Sequence, residues 1–196
     1  MSSDASRIYT KTGDDGTTGR LFGGRLGKDD PLVEACGDID ETVSVLGMAR
    51  AGLLAEVESS GDPEAAELAA LTLATQRRLF VIAADLMANP HARDRLEAGI
   101  SLADAELVGH IEADIDHLAE RHPLKPVFIV PGATSTSAAF DLARGVARRA
   151  ERHAVAAARA GQSVSDPVLL SLNRMSDLIY LLARASAGDA EARSHE

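Results

Sequence analysis

The chain has 196 residues, 45% of them hydrophobic and 26% charged, the composition of one folded domain rather than of a disordered segment. Thirty acidic against twenty basic side chains leave a formal charge of -10, and aromatics are 3% with no Trp. That balance excludes general duplex binding, anionic-membrane binding and a base-stacking platform, and one cysteine excludes an internal disulfide or a Cys-rich metal centre.

The opening stretch MSSDASRIYTKTGDD carries acids and has no apolar core, so it reads as neither secretory signal nor transit peptide. No apolar run approaches the ~18 residues of a membrane span, and a cytoplasmic protein is expected. Residues 1–30 are rich in Gly, Thr and Asp and show no helical period. Asp30-Pro31 then pairs an N-cap with Pro at the first helical position, and Val33, Cys36, Val43, Leu46 and Leu53 carry a helix to about Leu54. Cys36, beside Ala35 and Gly37, reads as a packed small residue.

Ser60-Gly61-Asp62-Pro63 stops that helix and starts a second, which runs to about Met87 and is closed by Asn89-Pro90. Ser101 with Asp104 suggests a capping box opening a third helix through Leu118, ended by His122-Pro123. The apolar run Val127–Val130 has no evident partner strand and is expected to be an extended connector. A fourth helix spans about Ser135 to Ala160, closed by Gly161; a fifth spans Pro167 to Ala187, capped by Asp166, with a frayed tail after it. The expectation is an all-α five-helix bundle without a β-hairpin, one domain over 1–196. It divides into an N-terminal segment 1–30, helices 31–187 and a tail 188–196.

Charge placement picks out residues. Arg144, Arg148, Glu151 and Arg152 share one arc of the fourth helix, while Arg149 lies further round. Three guanidiniums on one stripe either grip an anion such as phosphate or form a solvated face balanced by Glu151 and Asp141. On the fifth helix Asn173, Asp177, Tyr180 and Arg184 form a polar seam, by pattern an exposed face, alternatively a cleft wall. Asp40 lies on the wheel among Cys36, Val43 and Gly47, so it is expected to be buried and to need an Arg from another helix or subunit. Asp38 and Glu41 are expected to be solvated.

The segment Tyr9–Gly19 can turn backbone N–H groups, threonine hydroxyls and Lys11 toward an anion, and Lys28 lies just before the first helix. Taken alone the segment reads first as an ordinary flexible arm and only second as an anion loop. Walker A, GxGxxG, GxSxG and HExxH patterns are absent, and the six histidines are scattered, so no dedicated metal centre is expected and the histidines read as surface residues.

The ordered pieces IYTKTGDDGTTG, KDDPLVEACGDIDE, QRRLFVIAADL, FIVPG, ARGVARRAER and LNRMSDLIYLLAR run from Ile8 to Arg184. Together they resemble the ATP:cob(I)alamin adenosyltransferases of the propanediol-utilisation type. The resemblance implies a homotrimer of five-helix bundles with active sites between subunits. It also implies transfer of the 5'-deoxyadenosyl group of ATP to the cobalt of reduced cobalamin, releasing triphosphate. Carried over by position, Thr10, Lys11, Thr12, Gly13, Asp14, Gly16, Thr17, Thr18 and Lys28 hold the ATP phosphates. Arg148 contacts the polyphosphate, with Glu151 and Asn173 as companions in the nucleotide site. Asp40 and Arg144 form an intersubunit ion pair supporting the corrinoid side, and Phe128 helps expel the lower axial base of cobalamin.

Mg²⁺ is then held mainly through the phosphates, cobalamin is a substrate, and a cobalamin reductase and an adenosylcobalamin-dependent enzyme are the implied partners. The chain departs from the family pattern at Val43, where Asn is common, at Ala83 and Ala133, where Gly is common, and at Asp141, where His is common. These departures motivate a competing reading, a weakened corrinoid or ATP-binding module that delivers or senses its ligand. A third reading is a purely structural helical oligomer.

Overall fold

The Asp30 carboxylate accepts from the Leu32 amide at 2.9 Å and Pro31 fills the first helical position, so the backbone enters its first helix with a donor already satisfied. The same device recurs at Asp62-Pro63, where the Asp62 carboxylate accepts from Glu64 N. The computed structural model describes residues 9–195. Its helices are α1 (Pro31–Ser60), α2 (Pro63–Leu86), α3 (Ala105–Arg121), α4 (Ser135–Arg159) and α5 (Asp166–Ala187). No helix among the described residues is long and apolar enough to cross a membrane.

α4 packs against α1 and α5, and α5 also meets α2 and α3, so α1, α4 and α5 form the centre of the bundle. Ile39, Leu46, Phe140, Leu172 and Met175 are fully buried there, each contributing about 1.5–3 kcal/mol of transfer free energy. α1 and α4 run antiparallel. Gln162, just after α4, donates to the Asp30 carboxylate, while at the opposite end Thr136 donates to Glu56. Near that end Gly52 lets the two backbones approach: a Cβ there would sit 2.5 Å from Thr136 Oγ1.

The bundle is the one expected, and several details are corrected. α1 continues to Ser60, past the last buried residue Leu53, because apolar periodicity reports burial and not helicity; Gly61 ends it with φ +69° and an N–H that donates to Val57 O. Ser101 does not cap α3. Asp104 does, accepting from Leu107 N at 2.9 Å, while Ser101 Oγ accepts from Glu97 N. Asp166 is the first residue of α5, with Ser165 at the N-cap and no side-chain cap bond.

Two short antiparallel ladders also correct the sequence reading. β1 (Thr17–Gly19) pairs with β2 (Arg25–Gly27), a hairpin inside the Gly-rich segment. β3 (Ile129–Val130) pairs with β4 (Ala192–Arg193), and Ser194 N donates to Phe128 O. The connector therefore does have a partner, and it is the tail expected to fray; ladders of two or three residues leave no alternation long enough to read.

Candidate active site

The hairpin shapes the Gly-rich loop. Asp15 Oδ1 accepts from Thr17 N at 3.0 Å and Thr17 Oγ1 at 2.7 Å, and Arg25 Nε donates to Thr17 Oγ1. Those Thr17 bonds, with the nearby Arg25 charge, hold the Asp15 carboxyl below its ordinary value. Thr10 and Thr12 hydroxyls lie 2.8 Å apart, Lys11 takes φ +60° and Gly16 φ +80°. Lys28 N donates to Gly16 O at 2.8 Å, and the Lys28 side chain comes so near Gly13 that a Cβ there would be 3.4 Å from Nζ. Lys11, Asp14 and Lys28 are exposed, Thr17 and Thr18 half-buried. The loop thus gathers two cations and a set of hydroxyl donors on a turn that only backbone with positive φ can make. The organising residues Asp15 and Arg25 were not singled out from sequence; the Asp-x-Thr spacing of a side-chain-to-backbone turn was the available signal.

The second grouping lies on α4. Arg148, Glu151 and Arg152 line a cleft of about 450 Å³ with Val155, Ala156 and Arg159. Arg152 Nη1 donates to Arg148 O, and Asn173 on α5 donates to Glu151 Oε1 at 3.0 Å. Arg148 itself is exposed, with its fork open to solvent on the cleft. Neither Lys11 nor Lys28 lines this cleft. The cleft runs from Arg148 along α4 to Arg159, and the loop side meets the chain just beyond that end through the Gln162–Asp30 bond.

Arg149, off the stripe as the helical wheel predicts, donates from Nε to Asp38 Oδ1 at 2.8 Å and also bonds Glu41. His153 Nδ1 lies 2.8 Å from the other Asp38 oxygen. Asp38 is the buried carboxylate, 6% exposed, and Asp40 is exposed, the reverse of the expectation. The buried stripe of α1 is Leu32, Ala35, Ile39, Thr42, Leu46, Ala49 and Leu53. Counting only apolar residues passed over Thr42 and rotated the predicted stripe toward Cys36 and Val43, which are half-buried. His153, four residues after Arg149 on one helical face, bonds the same carboxylate while its side chain stays 37% exposed.

Arg144 does not meet Asp40 within the chain; its guanidinium lies 5.1 Å from the Tyr180 ring centroid, and that of Arg184 lies 5.2 Å from it. The polar seam of α5 is packed for most of its length: Arg184 is 8% exposed, Asn173 and Tyr180 are half-buried, and of the four only Asp177 is exposed. Asp141 binds Arg184 at 2.5 Å. Phe128 is 82% exposed at the start of the β3 segment.

The sequence profile described as Cobalamin adenosyltransferase matches residues 8–186. The chain belongs to the cobalamin adenosyltransferase family. It is 37% identical to a corrinoid adenosyltransferase of Bacillus subtilis, over 94% of this chain and 91% of that one. It is also 37% identical to one of Citrobacter freundii, over 91% and 93%. Among solved structures it resembles a variant PduO-type ATP:corrinoid adenosyltransferase from Lactobacillus reuteri complexed with cobalamin and ATP. That likeness has a TM-score of 0.77 at 28% identity and covers 95% of this chain and 97% of that one. As a cobalamin adenosyltransferase the chain is an enzyme of adenosyl transfer. Within this family member, Asp141 serves as a buried partner for Arg184, and Val43, partly buried, accepts from Gln76 through its carbonyl.

Proposed function

We propose that the protein transfers the 5'-deoxyadenosyl group of ATP to the cobalt of cob(I)alamin, giving adenosylcobalamin and triphosphate, as a single-domain subunit of a homotrimer. The observation that carries this reading is the pair of half-sites. A donor-rich loop with Lys11 and Lys28 and an arginine cleft around Arg148 occur in one chain without sharing a cleft. From Arg148 to the end of α4 is about 16 Å of helical rise. A second copy offering its loop to the Arg148 cleft completes a polyphosphate site, and the exposed Asp40 is free to meet Arg144 across the same interface.

In this arrangement Thr10, Lys11, Thr12, Gly13, Asp14, Gly16, Thr17, Thr18 and Lys28 enclose the phosphates. Arg148 adds a two-pronged donor, and Glu151, held by Asn173, orients the nucleotide. The cobalt(I) electron pair forms the bond to C5' as the C5'–O bond breaks, and the electrons leave on triphosphate. Arg148, Lys11 and Lys28 stabilise that growing charge. The protein needs no nucleophile of its own. In this reading Phe128, which is apolar and exposed, covers the lower face of the corrin and keeps water and the axial base away.

Mg²⁺ fits this donor set only as a companion of the phosphates, because the cleft presents arginines around one carboxylate, Glu151, that Asn173 already engages. Bound there, it neutralises phosphate charge.

The test is an anaerobic spectroscopic assay with chemically reduced cobalamin, with and without ATP and Mg²⁺. ATP-dependent appearance of the cobalt–carbon chromophore is expected. Its absence under full reduction, with corrinoid or ATP still bound, supports the delivery or sensing module instead.

A further inference from the structure

Phe128 is 82% exposed, so packing does little to orient its ring, and the backbone that carries it sets its direction. That backbone is extended. Val127 and Ile129 are half-buried while Phe128 and Val130 are exposed, the alternation of a strand with one covered face. A slip of one residue would turn Phe128 to the covered side. The pairing that fixes this register comes from the tail. Ile129 lies opposite Arg193 and Val130 opposite Ala192, and Ser194 N donates to Phe128 O at 2.9 Å. Val127 and Phe128 also share a shallow cleft of about 230 Å³ with Arg193 and Ser194.

A ladder of two residue pairs does not hold a register alone, and both residues of β4 are exposed. The tail has an anchor one residue earlier. Glu191 pairs with Arg184 at 2.9 Å, and the two side chains are 9% and 7% exposed. Arg184 is itself held on the bundle, bonded to Asp141 of α4 and lying 5.2 Å from the Tyr180 ring centroid. Glu191 is thus fastened to a fixed guanidinium immediately before β4 begins.

We propose that Glu191 and the tail strand are positioning elements for Phe128: the Arg184–Glu191 pair sets the register of β4, and β4 holds the backbone that presents Phe128 to the corrin. The proposal rests on the adenosyltransferase reading of Phe128 and adds residues that act through it. Expelling a lower base depends on where one aromatic ring sits, and small displacements of such a group are costly to the reaction.

The experiment loads the full-length protein with ATP and cob(II)alamin. Electron paramagnetic resonance, in which the nitrogen of a bound lower base splits the cobalt lines, reads the fraction of cobalt that has lost that base. Ser194→Pro removes the N–H that bonds Phe128 O while favouring extended backbone, and Ser194→Ala retains the N–H. Ser194→Pro and Glu191→Ala, in which Arg184 keeps Asp141, are expected to lower the base-free fraction about threefold or more; either serves if the other does not fold. Ser194→Ala is expected to match the parent, and the affinity for ATP to stay within about twofold in all three. Turnover is expected to fall ~10-fold or more with cobalamin, and about threefold less steeply with cobinamide, which carries no lower base to expel. A general loss of structure would lower both alike.

A parent-like base-free fraction in either folded variant, an equal loss of turnover with both corrinoids, or a parallel loss of ATP affinity overturns the proposal while leaving adenosyl transfer standing. No base-free cob(II)alamin together with no ATP-dependent product in the parent protein overturns the underlying reading as well.

Discussion

Arg149 donates to the buried Asp38 carboxylate at 2.8 Å, and Arg149 is the residue immediately after Arg148. Two adjacent arginines therefore have opposite duties: one fastens α4 to α1, the other faces a cleft.

Removing the fastening should cost stability. Asp38→Ala leaves Arg149 and His153 without their shared acceptor, but both are more than a third exposed and water recovers part of the loss. A destabilisation of about 1–3 kcal/mol is expected, read as a lower urea midpoint with an unchanged slope.

Arg148→Ala should do the reverse. The side chain is exposed, so the unfolding midpoint should stay within about 0.5 kcal/mol of the parent. In the proposed site the substitution removes a donor to the developing phosphate charge, so kcat/KM for ATP should fall ~100-fold or more. Steady-state kinetics beside urea unfolding of the same preparation checks both halves of the expectation.

The loop should respond to acid. Thr17 holds the Asp15 carboxyl below its ordinary value, so the folded loop is favoured while that carboxyl is ionised. This contribution is complete above the unfolded carboxyl's range and is lost as pH falls through the lowered value. Protection of the Thr17 amide, measured against its intrinsic exchange rate from neutral pH into that range, should hold until the lowered value is passed and then fall. In Asp15→Ala, which removes the acceptor, protection should be lost throughout, with a several-fold higher KM for ATP.

Cys36 should be inert. Burial first, and the Asp40 charge second, push its thiol up to about 11. At pH 8 iodoacetamide should modify the native protein at least ~10-fold more slowly than the urea-unfolded chain, as followed by intact mass. Because the folded thiol holds its proton longer than the unfolded one, stability should decline as pH rises from the ordinary thiol range toward 11.

The helices were legible because long amphipathic segments bounded by Asp-Pro and Gly signals leave few alternatives. The bundle centre followed from them. Asp38 was misplaced because a buried threonine, Thr42, belongs to the apolar stripe of α1 while bonding back to Asp38 O, and hydropathy counts it as polar. The Arg184 clasp was hidden for another reason. Its partners, Asp141 and Glu191, lie on α4 and in the tail, and no periodicity within α5 can announce them. The residues of the Gly-rich loop and the α4 stripe were visible as types. Their separation into two groupings depends on the antiparallel course of α1 and α4, which spacing does not encode.

That separation has a genetic consequence. If a loop from one copy works on the helix of the next, Lys28→Ala and Arg148→Ala protomers, each inactive alone, should complement when unfolded together and renatured. Some interfaces of the mixture then unite an intact loop with an intact arginine, so either lesion behaves as recessive in company.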